Sequence, residues 1–251
     1  MRRIAVILLL AVVASAAEVV PAKLPNPRTP YPLWISQRLA TNDRGELDYT
    51  QFDSASTAML KQLIAANDAG RANSGRAADD CYAYSTRPPA HYAPTDTVDD
   101  LIRGAHVIIA GRVTAVEPGF YAGRPGSMIA ISARSADVVS DLPDGDSARY
   151  LLFYPRASMR FANGTVCARP REDALVPAVG DRVLAFSIDT PFLSGPYAVI
   201  FADAVRELVV ARGDRLAAPA SLRGIVSGKA TFDRLRERVM RRVEEGNGRL
   251  R

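Results

Sequence analysis

The sequence predicts a mainly β protein, a small barrel or sandwich, on three observations. Between about Thr97 and Ala211, five or six short apolar segments are separated by turn residues, the spacing of an all-β domain. Within them side chains alternate with a period of two: Val107, Ile109, Gly111, Val113 and Ala115 share one face of a strand, and Arg112 and Thr114 the other. Helical periodicity, by contrast, is strongest in the flanks.

The chain starts with Met1-Arg2-Arg3, an apolar run from Ile4 to Val13, and Ala14-Ser15-Ala16. A basic, apolar and small-residue order marks a secretory signal peptide over residues 1–16, cleaved after Ala16 or Ala17. The run is shorter than the roughly 20 residues that cross a bilayer, and no later one is longer. The mature chain is therefore expected to have no transmembrane segment and to be secreted or periplasmic.

Residues 17–80 read as a strap and a helix. Prolines at 21, 25, 27, 30 and 32 favour extended chain. Asp53 or Ser54 then caps a helix to about Asp68, with Met59, Leu60, Leu63 and Ile64 as its apolar stripe and Gly70 past its end. Residues 81–211 hold the β domain. Thr97 caps a short helix stopped by Gly104, and the first strand runs from His106 to Val116. Pro118, Gly119, Gly123, Pro125 and Gly126 mark a loop, and the second strand covers Ser127 to Val139. The third strand is Tyr150 to Tyr154, and Pro155 to Val179 is an irregular connection holding Cys167. Strands at Arg182 to Ile188, Tyr197 to Ala202 and Val205 to Val210 follow. Residues 212–251 form a linker and a helix from Ala230 to Glu245, with Phe232, Leu235, Val239 and Val243 on one face.

The chain has 251 residues, 48% hydrophobic and 24% charged, enough for one core with appendages. Without Arg2 and Arg3, 30 basic residues face 27 acidic ones, too even a balance to indicate a polyanion partner from charge alone. The only two cysteines, Cys81 and Cys167, are expected to pair in an oxidising compartment. Such a bridge contributes roughly 4 to 5 kcal/mol in the chain-entropy account and ties the leading segment to the β domain.

Three segments carry a family resemblance: Ala105-His106-Val107-Ile108-Ile109-Ala110-Gly111-Arg112-Val113, Val166-Cys167, and Val179-Gly180-Asp181-Arg182-Val183-Leu184. With the order of elements around them, they resemble the netrin-like module, best known from tissue inhibitors of metalloproteinases, over about residues 81–211. The resemblance implies an OB-like barrel of five to six strands, here with an N-terminal helical arm and a C-terminal amphipathic helix, in an exported bacterial protein. It also implies a bridge between the positions that Cys81 and Cys167 occupy. Inhibitors of that family chelate the target's zinc with a free N-terminal cysteine amine. Cys81 is internal and Ala83 replaces the family's second nearby cysteine, so inhibition requires processing just before Cys81.

Candidate chemistry is sparse. His91 and His106 are the only histidines, and a zinc site would need carboxylates from Asp96, Asp99 or Asp100. No Gly-x-Ser-x-Gly elbow occurs. No catalytic, metal or cofactor residue is therefore assigned, and a non-enzymatic binding module is expected. The alternative, an exported hydrolase, needs His91 or His106 beside a serine and an acid in a cleft. Asn42 to Asp48 superficially resembles a calcium loop, but Arg44 and Gln51 fall where ligands are required. Arg212-Gly213-Asp214 matches the integrin tripeptide and reads as a turn; Asn163-Gly164-Thr165 is a glycosylation acceptor only in a eukaryotic secretory pathway.

The partner class follows from arginines. Arg156, Arg160, Arg169 and Arg171 crowd the Cys167 connection, and Arg234, Arg238, Arg241 and Arg242 load the last helix. The first group is the expected docking surface for a protein or an acidic envelope polymer. Nucleic acid is discounted because stacking aromatics do not alternate with the arginines.

Overall fold

The computed structural model describes residues 20–23, 34–74, 98–121, 123–134, 138–140, 149–154, 157–168, 177–187, 192–194, 197–200, 205–213, 215–217 and 231–245. The leader, most of the proline-rich strap, Cys81 and His91 lie outside the described residues. Within them the protein is mainly β. Twelve strands are β1 (Trp34–Ser36), β2 (Val107–Tyr121), β3 (Arg124–Ser132), β4 (Val138–Ser140), β5 (Arg149–Tyr154), β6 (Ala157–Phe161), β7 (Gly164–Ala168), β8 (Arg182–Ser187), β9 (Phe192–Ser194), β10 (Tyr197–Ile200), β11 (Val205–Arg212) and β12 (Arg215–Ala217). Three helices are α1 (Ser54–Ser74), α2 (Val98–Arg103) and α3 (Phe232–Glu245).

Ten strands form one sheet in the order β12-β11-β8-β2-β3-β5-β10-β9, with β1 and β4 also on β2, while β6 and β7 make a separate hairpin. The hydrogen-bonded path is open, ending at β12 and β9, and its ladders are antiparallel except that β10 runs parallel to β5. Strand β2 is the organiser. Its first half pairs with β8 and β4, and its second half with β3 and β1.

The expected loop at Pro118 to Gly126 is instead strand on both sides of a tight turn at Gly123, whose φ of 75° lies in the left-handed region glycine tolerates. Gly119 and Gly126 are needed for close packing rather than for turning. A Cβ on Gly119 would stand 2.6 Å from the Trp34 ring, and one on Gly126 would overlap Phe153. The expected irregular stretch from Pro155 likewise contains the β6–β7 hairpin, turning at Ala162 and Asn163. Helix α1 continues through Gly70, so that glycine does not end it. Asp53 does cap it, accepting the Ser56 N–H at 2.7 Å.

Alternation along the central strands buries both faces, which explains the unbroken apolar runs of β3 and β5. One face gathers Val107, Ile109, Val113, Ile129, Ile131, Leu152, Val183, Ala185 and Val210. The opposite face divides into two patches. Ile108, Ala110, Leu184, Phe186, Val209 and Ala211 are covered by α2 and α3 through Leu101, Ile102, Phe232, Leu235, Val239 and Val243. Met128, Ala130, Leu151 and Phe153 are covered by Val20 and Trp34. At the far end of β2, Phe120 meets Phe52 at 5.2 Å and Phe161 at 6.3 Å between ring centroids, joining α1 and the β6–β7 hairpin to the sheet. The leading segment is thus packed into the β domain's core.

Candidate functional site

Between the two covered patches a row of polar positions crosses the sheet. Arg112 on β2 lies opposite Ser132 on β3, and Ser132 lies opposite Arg149 on β5. Residues directly opposite in a ladder project from the same face, and all three are exposed. On the other side of β2, Gly111 pairs with Val183 and the Val113 N–H donates to the Asp181 carbonyl at 2.9 Å, which sets Arg112 opposite Arg182. The row therefore reads Arg182, Arg112, Ser132, Arg149 across β8, β2, β3 and β5. With strands spaced about 4.8 Å apart, the backbones carrying Arg112 and Arg149 are roughly 10 Å apart.

The arginines differ in their commitments. Arg182 lies 4.3 Å above the Phe232 ring and donates to both Asp233 oxygens, at 3.2 and 2.9 Å, so its charge is largely matched. Among the described residues Arg112 reaches the Gly180 carbonyl, at 3.4 Å, a long contact for one of five donors.

On the opposite face at the same end, Arg212 makes a two-pronged bond to Asp181, at 2.8 and 2.7 Å, and Asp181 also accepts the Ala178 N–H. The Asp181 side chain is 4% exposed and that of Arg212 47%. Burial pushes the Asp181 carboxyl up, but the Arg212 guanidinium and the Ala178 N–H outweigh it and hold the carboxyl below the usual carboxylate range. This pair closes the end of the apolar layer that contains Val183 and Val210. It also accounts for Arg212-Gly213-Asp214: the guanidinium is occupied at home, and Gly213, at φ 56°, turns β11 into β12.

The residues singled out from sequence are scattered. His106 is half-buried just before β2, its backbone N–H bonded to Ser187 at 2.7 Å, while His91 and Asp96 lie outside the described residues. Asp99 pairs with Arg242 at 3.6 Å and Asp100 with Arg103. Among the described residues no three His, Cys, Asp or Glu side chains gather as a metal site. The Asn42 segment is a tight turn instead of an ion loop: the Asn42 side-chain oxygen accepts the Arg44 and Glu46 N–H groups, both at 2.9 Å, and the Gly45 carbonyl accepts the Ala162 N–H. Of the expected docking arginines only Arg160 is described, exposed on β6; Arg156, Arg169 and Arg171 lie outside the described residues. Cys167 sits in β7, and its expected partner Cys81 is likewise outside them.

The row escaped sequence reading because its four members come from four separate strands, each contributing one polar residue to it. Only the register brings them side by side. Among the described residues no helix is long and apolar enough to cross a membrane. Compared with known protein families, curated proteins and solved structures, the chain matches none.

Proposed function

We propose that this chain is an exported, non-enzymatic binding module that docks an anionic partner, built on an OB-like barrel of the netrin type. The strand path supports the barrel. β10 runs parallel to β5, and after only four intervening residues β11 runs antiparallel to β8, so one stretch of chain serves both arms of the path, as the last strand of an OB barrel does. In that closure the face holding Ile109 and Val183 is the interior and the Asp181–Arg212 pair its polar cap. The Cys81–Cys167 bridge belongs to the same reading, and a thiol count on denatured, unreduced protein finds none if it forms and two if it does not.

The observation that carries the docking function is the exposed row of Arg112, Ser132 and Arg149. OB barrels commonly bind along their second and third strands, and here Val20 and Trp34 already cover much of that face, at Met128, Ala130, Leu151 and Phe153. The row is what the covers leave uncovered on it. Arg160, with Arg156, Arg169 and Arg171 near it in sequence, offers a second basic region.

Retention of the mature protein on an immobilised polyanion tests the function. Screening shortens from about 10 Å at 0.1 M salt to about 3 Å at 1 M, so retention at low salt is expected to collapse as salt rises. No retention at low salt, or retention insensitive to salt, overturns it.

A further inference from the structure

Beyond the row, we infer that the outer face of α3 is a docking strip for an anionic phospholipid surface, held through Arg234, Arg238 and Arg241. The helix lies on the sheet with Phe232, Leu235, Val239 and Val243 turned inward, so its opposite side faces solvent. At about 100° per residue, Arg234, Arg238 and Arg241 fall within about 60° of one another on that side, along roughly 10 Å of helix axis. All three are exposed. Asp233, Glu237 and Glu244 fall together on the other flank, and Asp233 is already matched by Arg182. The face is thus divided lengthwise by charge.

The strip's charges act outward. Among the described residues the Arg234 and Arg238 guanidiniums make no hydrogen bond or ion pair. Arg241 stands 3.9 Å from Glu245, an exposed pair too long for a hydrogen bond, and Glu245 is held more closely by Arg242 at 3.2 Å. The neighbouring helix α2 brings no unmatched acid, since Asp99 answers Arg242 and Asp100 answers Arg103. The partner class follows from shape and chemistry. A convex helix has no walls to grip a polymer or a peptide, whereas a flat bilayer meets a straight strip along its length, and its phosphodiester headgroups move sideways to meet each guanidinium fork. The apolar stripe that an interfacial helix would sink among acyl chains is buried on the sheet. Docking is therefore electrostatic, at headgroup level and reversible by salt.

Co-sedimentation of the mature protein with vesicles tests this, comparing phosphatidylcholine alone with a mixture containing about one third phosphatidylglycerol. Binding to the anionic vesicles at low salt, release at high salt and no binding to phosphatidylcholine are expected. Each neutralised arginine is expected to lower the partition coefficient by about fivefold, and R234Q/R238Q/R241Q together by on the order of a hundredfold. R234K/R238K/R241K is expected to keep the binding, because a charged surface responds to charge rather than to guanidinium geometry. R38Q, at an exposed position beside β1 at the far end of β2, lies beyond screening range and is expected to change it less than about twofold. R238Q alone repeats the test should the triple variant have a lowered melting temperature.

Equal losses in R38Q and R238Q would mean diffuse charge attraction and overturn the strip. Binding that survives high salt or extends to phosphatidylcholine would overturn electrostatic docking. A loss in the lysine variant as deep as in the glutamine variant would point to a guanidinium-specific partner and overturn the lipid assignment. If vesicles do not bind at low salt while retention on an immobilised polyanion persists, the strip fails and docking at the row stands.

Discussion

The same sheet face is covered in two physically different ways. Over β2, β8 and β11 the cover is a pair of helices whose aliphatic stripe lies on Ile108, Leu184, Phe186 and Val209, fringed by ion pairs from Arg182 to Asp233 and from Arg242 to Asp99. Over β3 and β5 the cover is an extended arm whose main wedge is Trp34, meeting Phe153 edge-on at 5.8 Å between centroids. A helix spreads its contacts over four turns and keeps its charges at the rim. The arm concentrates them in one indole, which Gly119 admits by having no side chain. That wedge has a cost: Trp34 Nε1 is buried with no hydrogen-bond partner among the described residues, a penalty of about 1 to 3 kcal/mol that its ring contacts must exceed.

If the arm's hold is concentrated, removing its single wedge should have the largest effect. Trp34→Ala is expected to lower stability by about 3 to 5 kcal/mol in urea denaturation, and Trp34→Phe by clearly less, since it also removes the orphaned N–H. A loss below about 1 kcal/mol for the alanine variant would mean that the arm is not a cover in solution. On the helical side the load is shared, so Leu235→Ala is expected to cost about 2 to 4 kcal/mol and to lift α3 without exposing the arm's patch, read by hydrogen exchange.

Gly119→Ala sharpens the contrast. It adds one methyl 2.4 Å from the Ile35 carbonyl oxygen and 2.6 Å from the Trp34 ring, so a loss of about 1 to 3 kcal/mol is expected, only partly relieved in the Trp34→Ala background because the contact with the β1 backbone remains. The sheet end that bears neither cover depends on Asp181. Its carboxyl is held below the value of 3.8 it takes when unperturbed, so its contribution is complete above that pH and is lost as pH falls through the lower folded value. Asp181→Asn is expected to cost about 2 kcal/mol at pH 7 and to flatten the decline in stability below about pH 4; an unchanged acid limb would refute the coupling. The rim pairs should matter least: Arg242→Gln is expected to shift the midpoint by no more than about 0.5 kcal/mol.

The two covers also differ in how visible they are in the chain. Phe232, Leu235, Val239 and Val243 repeat at helical spacing within a helix of 14 residues, and the structure buries all four. Trp34-Ile35-Ser36 is a three-residue strand with no period to detect, and its partner, Gly119 to Tyr121, lies far along the chain. Pro118 and the glycines around it carry a turn signal by composition, yet they pair residue for residue with β3, because a glycine that makes room for a ring and one that turns a chain are the same letter. The β6–β7 hairpin escaped notice for a related reason: its alternation is short, and it is buried by packing against α1 and Phe120 of β2 without pairing with the large sheet.

From the residues alone came the β character, the central strands and the amphipathic end helix, because alternation and helical period are local consequences of which side chains avoid water. Which strands are neighbours, that Trp34 closes one patch, that Asp181 finds Arg212, and that Arg112, Ser132 and Arg149 stand in line were decided by tertiary structure. Those relations depend on register between segments remote in the chain, and register is settled only when all the faces bury together.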